Sequence, residues 1–174
     1  NFGNIIGHAK GVKDLASIVS WSNEQFDQEL TWEYVKWIKK LWGGPIIIKG
    51  ILDVDDAIKA SHIGADGIIV SNHGGRQLDG TISTILALNN IAKKVGSKLE
   101  VYIDGGFRHG ADLLKAKALG AKAVFVGRPY LYGLSAKGFD GVKKMIEIFI
   151  KEADVALALC GETNINKLSK KNIL

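Results

Sequence analysis

Gly64-Ala65-Asp66-Gly67-Ile68-Ile69-Val70 decides the fold. It reads as a helix-stopping glycine, a tight corner, and then a short apolar run rich in β-branched residues, the pattern of a helix handing over to a buried strand. The order returns at Gly120-Ala121-Lys122-Ala123-Val124-Phe125-Val126, so the two stretches read as equivalent corners of a repeated unit. From Pro45 onward the same grammar holds throughout, with apolar runs at Ile46–Ile48, Ile68–Val70, Leu99–Ile103 and Val124–Val126. These runs are apolar on both faces, as strands of a covered parallel sheet are.

The intervening stretches carry helix signals. Asp53 is placed to cap a helix running to His62 with Gly64 as its stop; Thr81 or Ser83 starts one that Gly96 ends; Gly120 closes the stretch from Ala111 to Leu119. Upstream, Thr31 is placed to cap a helix whose Trp32, Val35, Ile38 and Leu41 form an apolar stripe, with Glu33, Lys36, Lys39 and Lys40 facing away. That helix is expected on the outside of the sheet. Residues before Thr31 show no strand pattern.

Four β-then-α units predict an α/β fold, the C-terminal half of a (β/α)8 TIM barrel, because a whole barrel takes about 250 residues. A four-stranded parallel sheet has two unpaired edges and needs another segment or chain to close it. A doubly wound open sheet is the alternative fold, but its Gly-rich phosphate turn after a first strand is missing from the sequence.

Bulk properties fit one globular domain: 174 residues, 47% hydrophobic, 24% charged, with 21 glycines against two prolines. The lone Cys160 excludes an internal disulfide framework and a cysteine-rich metal site. No apolar run approaches the roughly 20 residues of a bilayer span, and no basic-then-apolar leader opens the chain. The net charge of +5 is carried by lysines on helix faces, without a basic stripe interleaved with aromatics, so nucleic acid is not an expected partner.

Barrel enzymes work at the C-terminal ends of their strands. Those ends read Lys49-Gly50, Ser71–Gly80 (SNHGGRQLDG), Asp104–Arg108 (DGGFR) and Gly127-Arg128-Pro129. Lys49, ending an apolar strand, needs an anion, an electron-rich ring or a neighbouring carboxylate beside its ammonium. His73 stands next to glycines, where its ring is free to meet a ligand and act as a general base near neutral pH; His8, His62 and His109 read as structural hydrogen-bonders. Arg76 offers a planar fork for a carboxylate. The last two ends pair close-approach glycines with arginines, a phosphate grip after the final two strands.

At these residues the sequence resembles the FMN-dependent 2-hydroxy-acid oxidase and dehydrogenase family, which includes glycolate oxidase, lactate dehydrogenases and mandelate dehydrogenase. SNHGGRQLDG is its specific signature, and IIIKG, DGGFRHG and VGRP fall in the family's order across essentially the whole chain. The resemblance implies that an L-2-hydroxy acid is oxidised to the 2-oxo acid with FMN reduced, the flavin then being reoxidised by a quinone, an electron-transfer chain or oxygen. It makes His73 the base and Arg76 the carboxylate binder. Lys49 and Ser71 become flavin contacts, Asp104, Gly105, Gly106, Phe107 and Arg108 the ribityl and phosphate stretch, and Gly127 with Arg128 its completion.

It further implies that residues 1–30 are the end of a lid loop over the active site and 31–174 the second half of an FMN-binding barrel. The N-terminal half is then a partner, supplying a tyrosine, a second arginine and an aspartate that pairs with His73. A homo-tetramer follows from the same likeness. The stretches around FDQELTWEYVKWIKKLWGGPIIIKGILD and RPYLYGLSAKG look most like bacterial respiratory lactate and mandelate dehydrogenases, which implies a cytoplasmic protein, peripheral on the inner face of the cytoplasmic membrane. The C-terminal Lys171-Asn172-Ile173-Leu174 is no peroxisomal address, in keeping with that setting. Trp21, Trp32, Trp37 and Trp42 suit either a membrane interface or, as the stronger expectation, packing on the barrel's outside. The alternative to an enzyme is a non-catalytic fragment or half-barrel scaffold.

Overall fold

The computed structural model describes residues 3–173 and divides into two units at Val35/Lys36. In the second unit, β1 (Ile47–Ile51), β2 (Gly67–Val70), β3 (Glu100–Ile103) and β4 (Ala123–Val124) pair side by side, all parallel, in sheet order β1-β2-β3-β4. They alternate with α3 (Val54–His62), α4 (Thr84–Val95), α5 (Gly110–Ala118) and α6 (Arg128–Leu159). Parallel strands added in sequence order, each joined to the next by a helical crossover, make half of an eight-unit barrel. A doubly wound sheet would reverse its order at a switch point, and this one does not.

Helix starts and stops follow local chemistry. The Asp53 carboxylate accepts the Asp55 and Asp56 N–H groups, satisfying two donors at the start of α3. The corners at Gly64 and Gly120 are equivalent: both glycines take positive φ (78° and 104°), and Ala65 and Ala121 each return an N–H, 3.0 Å long, to the carbonyl of Ala60 and Ala116.

One expectation needs correcting. The strands are covered on one face only: Ile68, Val70 and Ile103 are fully buried beside Ile51 and Val101, whereas Ile47 is 47% exposed and Phe125 49%. Side chains alternate across a strand, so one set meets the helices and the other faces the barrel interior, which half a sheet does not enclose. A register shift between Lys49 and Ile51, at Gly50, returns Ile51 to the covered face and leaves Lys49 on the interior one.

The helix α2 (Trp32–Trp42) is a second correction, for it buries none of its residues. Ile38 and Leu41 of the apolar stripe are exposed, as are Trp37 and Trp42. Lys39, expected to face away, instead pairs with Asp66 at 2.9 Å, and the same carboxylate oxygen accepts the Ile46 N–H at 2.8 Å. Together these bonds hold the Asp66 carboxyl below the ordinary carboxylate range, the Lys39 hydrogen bond contributing most. A corner carboxylate with an orphan N–H beside it attracts the nearest lysine, and that contact sets the roll of the C-terminal half of the helix.

In the first unit, the loop expected over 1–30 contains a helix, α1 (Leu15–Glu24). The Asp14 carboxylate accepts the Ser17 N–H at 2.8 Å and the Ser17 hydroxyl accepts the Asp14 N–H at 3.0 Å, a reciprocal cap. Ser17 stands where glutamate or glutamine usually completes this motif, which hid the start from sequence reading.

Candidate functional site

The C-terminal ends of the strands converge on a cleft of about 260 Å³ lined by Lys49, His73, Arg76, the loop Asp104–Arg108, and Gly127 with Arg128. Ten of the eleven residues singled out from the sequence therefore meet in one place. The eleventh, Ser71, is 2% exposed and lies under the cleft, in the wall of an adjoining cavity shared with Lys49 and His73.

Ser71 organises the end of β2. Its hydroxyl accepts a hydrogen bond from Lys49 Nζ at 3.0 Å and another from the His73 backbone N–H at 3.1 Å. The next turn, a single 3-10 turn over His73–Gly75, is closed by the Asn72 side chain accepting the Gly74 N–H at 3.0 Å. His73 has φ 54°, the one positive value among non-glycine residues described. Such a conformation costs energy and persists only where surrounding bonds enforce it, a mark of functional turns. Here Ser71 and Asn72 are the enforcers, and the result lifts the imidazole into the cleft mouth, exposed. Among the described residues neither the imidazole nor the Arg76 guanidinium has a hydrogen-bond or ion-pair partner.

Lys49 meets a carboxylate: its Nζ lies 3.1 Å from Asp104 Oδ2. Of the alternatives left open by the sequence, the ion pair is thus present, with the ammonium still 45% exposed towards the cleft. The other oxygen, Asp104 Oδ1, is buried without a hydrogen-bond partner among the described residues. A buried carboxylate oxygen left bare costs free energy, so this atom calls for a donor from whatever fills the cleft.

The loop after β3 turns on Gly105 and Gly106, at φ 92° and 85°. The Gly105 carbonyl accepts the Thr84 hydroxyl at 3.3 Å, and space is open where a Cβ of Gly106 would stand. Phe107 is 6% exposed, so its ring belongs to the core and only its backbone is offered to the cleft. Opposite, Gly127 precedes α6 with nothing within 4 Å of a Cβ position, leaving backbone N–H groups of the helix start accessible. The Arg128 guanidinium reaches back to the Gly74 carbonyl at 3.4 Å, tying the β4 end to the histidine turn.

Sequence reading missed several residues that shape the site. Phe125, Val126 and Leu131 supply its apolar wall, Phe125 packing edge-on to Tyr102 with ring centres 5.9 Å apart. Leu131, three residues past Arg128, was legible from helical spacing. Asp112 was not: its Oδ2 accepts the N–H of Arg108 at 3.2 Å and of His109 at 3.1 Å, closing the phosphate-type loop from behind. Burial pushes the Asp112 carboxyl up, but those two bonds and the Lys115 ammonium outweigh it and hold it below the usual range.

Arginines, close-approach glycines, a buried carboxylate oxygen without a partner among the described residues and an exposed histidine thus share one cleft. The family described as FMN-dependent dehydrogenase matches residues 4–174. An L-lactate dehydrogenase of Pseudomonas putida is 44% identical over 174 residues, covering 100% of this chain and 46% of that protein. One from Pseudomonas syringae pv. syringae is 47% identical over 168 residues, covering 97% and 44%. Among solved structures, a monotopic membrane protein, (S)-mandelate dehydrogenase, superposes with TM-score 0.86 at 40% identity over 94% of this chain and 43% of that one. A flavocytochrome b2 with sulfite bound gives 0.80 at 40% identity over 90% and 42%. The chain spans about half the length of the curated relatives it matches. Because that family's model matches nearly the whole chain, the chain belongs to the FMN-dependent dehydrogenase family.

Proposed function

We propose that this chain forms the FMN-holding and base-carrying half of an enzyme that oxidises an L-2-hydroxy acid of the lactate, glycolate or mandelate type to its 2-oxo acid. The observation that carries the reading is the meeting of His73 and Arg76 with the Asp104–Arg108 loop and Gly127–Arg128 in one cleft. The cleft suits FMN on its own terms. Asp104 Oδ1 needs a donor such as a ribityl hydroxyl, and two arginines with accessible backbone at Gly106 and Gly127 match a phosphate dianion.

Bound FMN supplies a two-electron acceptor. The chain's own groups do the rest. Arg76 grips the substrate carboxylate and so fixes its C2 beside His73. His73 Nε2 or Nδ1 removes one of the alcohol's two hydrogens as a proton, the second hydrogen and the electron pair leaving to the two-electron acceptor as the C–H and O–H bonds give way to the ketone. Lys49, held by Ser71 and Asp104, places positive charge where electron density accumulates, and the buried Ser71 fixes that end of the site.

Relatives named as dehydrogenases support delivery of the electrons to a quinone or electron-transfer chain, with oxygen as the alternative acceptor. The unpaired edges of β1 and β4, the exposed Ile47 and Phe125, and the partnerless His73 support a requirement for an N-terminal half-barrel, without which the chain is inactive. The experiment is anaerobic: the full-length enzyme is yellow with FMN and bleaches on addition of lactate, glycolate or mandelate. A preparation that is colourless and cannot be reconstituted with FMN overturns the reading.

The membrane-protein neighbour and the exposed Trp37, Leu41 and Trp42 of α2 support peripheral attachment at the inner face of the cytoplasmic membrane. No helix among the described residues is long and apolar enough to cross one. Family likeness supports a homo-tetramer. Full-length enzyme is expected to co-sediment with anionic vesicles and to scatter light as four copies; failure of either removes that part of the proposal.

A further inference from the structure

The chain just after the loop Asp104–Arg108 is fastened not only by Asp112 but by a residue 42 positions past Gly110. Glu152 of α6 accepts the Gly110 N–H at 2.7 Å through Oε2 and lies 3.5 Å from His109 Nδ1. Gly110 is seated so closely on α6 that a Cβ there would fall on the Ala153 nitrogen and the Phe149 carbonyl. Two carboxylates thus grip the two residues that follow Arg108, Asp112 from α5 and Glu152 from α6.

The same helix opens the other side of the cleft, since Gly127 and Arg128 precede and start α6. Its two segments are joined by a break at Lys137 and Gly138 and folded onto each other, with Gly141 so near the Gly133 carbonyl that no Cβ fits. A short covalent and packed path therefore runs from Arg128 through the Gly133–Gly141 contact to Glu152, and across one hydrogen bond to the opposite loop.

We propose that Glu152 is a positioning residue for cofactor phosphate: it touches no ligand, and fixes the spacing between the Gly106–Arg108 backbone and Gly127–Arg128. The inference rests on the reading of the cleft as an FMN site. Only a ligand that bridges both elements senses that spacing, so the effect belongs to the phosphate and not to the ring or ribityl chain. Glu152→Gln keeps the acceptor for Gly110; Glu152→Asp keeps the charge but shortens the reach; Glu152→Ala removes both.

The test measures FMN and riboflavin dissociation constants on the full-length apoenzyme and its variants. Glu152→Ala is expected to weaken FMN about tenfold, the loss associated with one hydrogen bond, with riboflavin affinity within about twofold. Glu152→Gln is expected to bind FMN as the parent does, and Glu152→Asp to fall between. Should Glu152→Ala not fold, the aspartate variant gives the same comparison. Equal loss of FMN and riboflavin, or FMN binding indifferent to both Glu152→Ala and Glu152→Asp, overturns the inference alone. A parent enzyme that binds no FMN overturns the reading of the cleft, and the inference with it.

Discussion

Replacing His73 by glutamine is expected to leave the full-length enzyme yellow and folded, while the rate of flavin reduction by substrate falls on the order of 10³-fold. Glutamine is close to histidine in reach and hydrogen-bonding capacity but takes up no proton, so the substitution isolates the basic nitrogen. The backbone at this position sits at φ 54°, held by the Ser71 hydroxyl, which accepts the N–H of residue 73, and by the Asn72 side chain, which accepts the N–H of Gly74; the substitution removes neither donor. The turn is therefore kept at a small conformational cost. Stopped-flow reduction gives the rate, and FMN content with thermal unfolding gives the controls. Near-parental reduction would remove His73 from the role of base; loss of FMN or of folding would show that the turn, and not the ring, had been damaged.

The largest effect on stability is expected from Gly110→Ala. A methyl group there would overlap backbone atoms of Ala153 and Phe149 and come within 2.7 Å of Glu152 Cβ. Backbone in the middle of a helix cannot yield as a flexible side chain does, so α5 and α6 must move apart. That costs about 3 kcal/mol, at the upper end of overpacking penalties, and the hydrogen bond to Glu152 is lengthened as well. Differential scanning calorimetry of the FMN-free protein is expected to show a fall in Tm on the order of 5–10 °C. An unchanged Tm would mean that the two helices are not fixed against each other, and would weaken the case for Glu152 as a strut.

The fold and the site were legible to different depths. The βα repeat could be read because each strand is a short β-branched run and each corner needs glycine in a conformation other residues avoid, both local requirements. α3 began after Asp53, whose side chain caps it as predicted; α4 began after Ser83, one of the two starts the sequence offered, but without a side-chain cap bond. α1 escaped because its cap pairs aspartate with serine, and Lys39 was misassigned because its partner Asp66 is 27 positions away. In the site, the residues at strand ends were found because a barrel collects its strand ends at one rim. Asp112 and Glu152 were not, since nothing local distinguishes them from other acidic residues on exposed helix faces.

Sequence alone therefore determined the repeat, the family likeness and the strand-end residues that meet at the cleft, because these depend on local conformation and on the order of strands. Tertiary structure decided which charges meet. It set Lys49 against Asp104, left Asp104 Oδ1 bare, and brought Glu152 to Gly110 across 42 residues of chain. Those pairings depend on helix roll, strand register and backbone approach, which arise only when the elements pack.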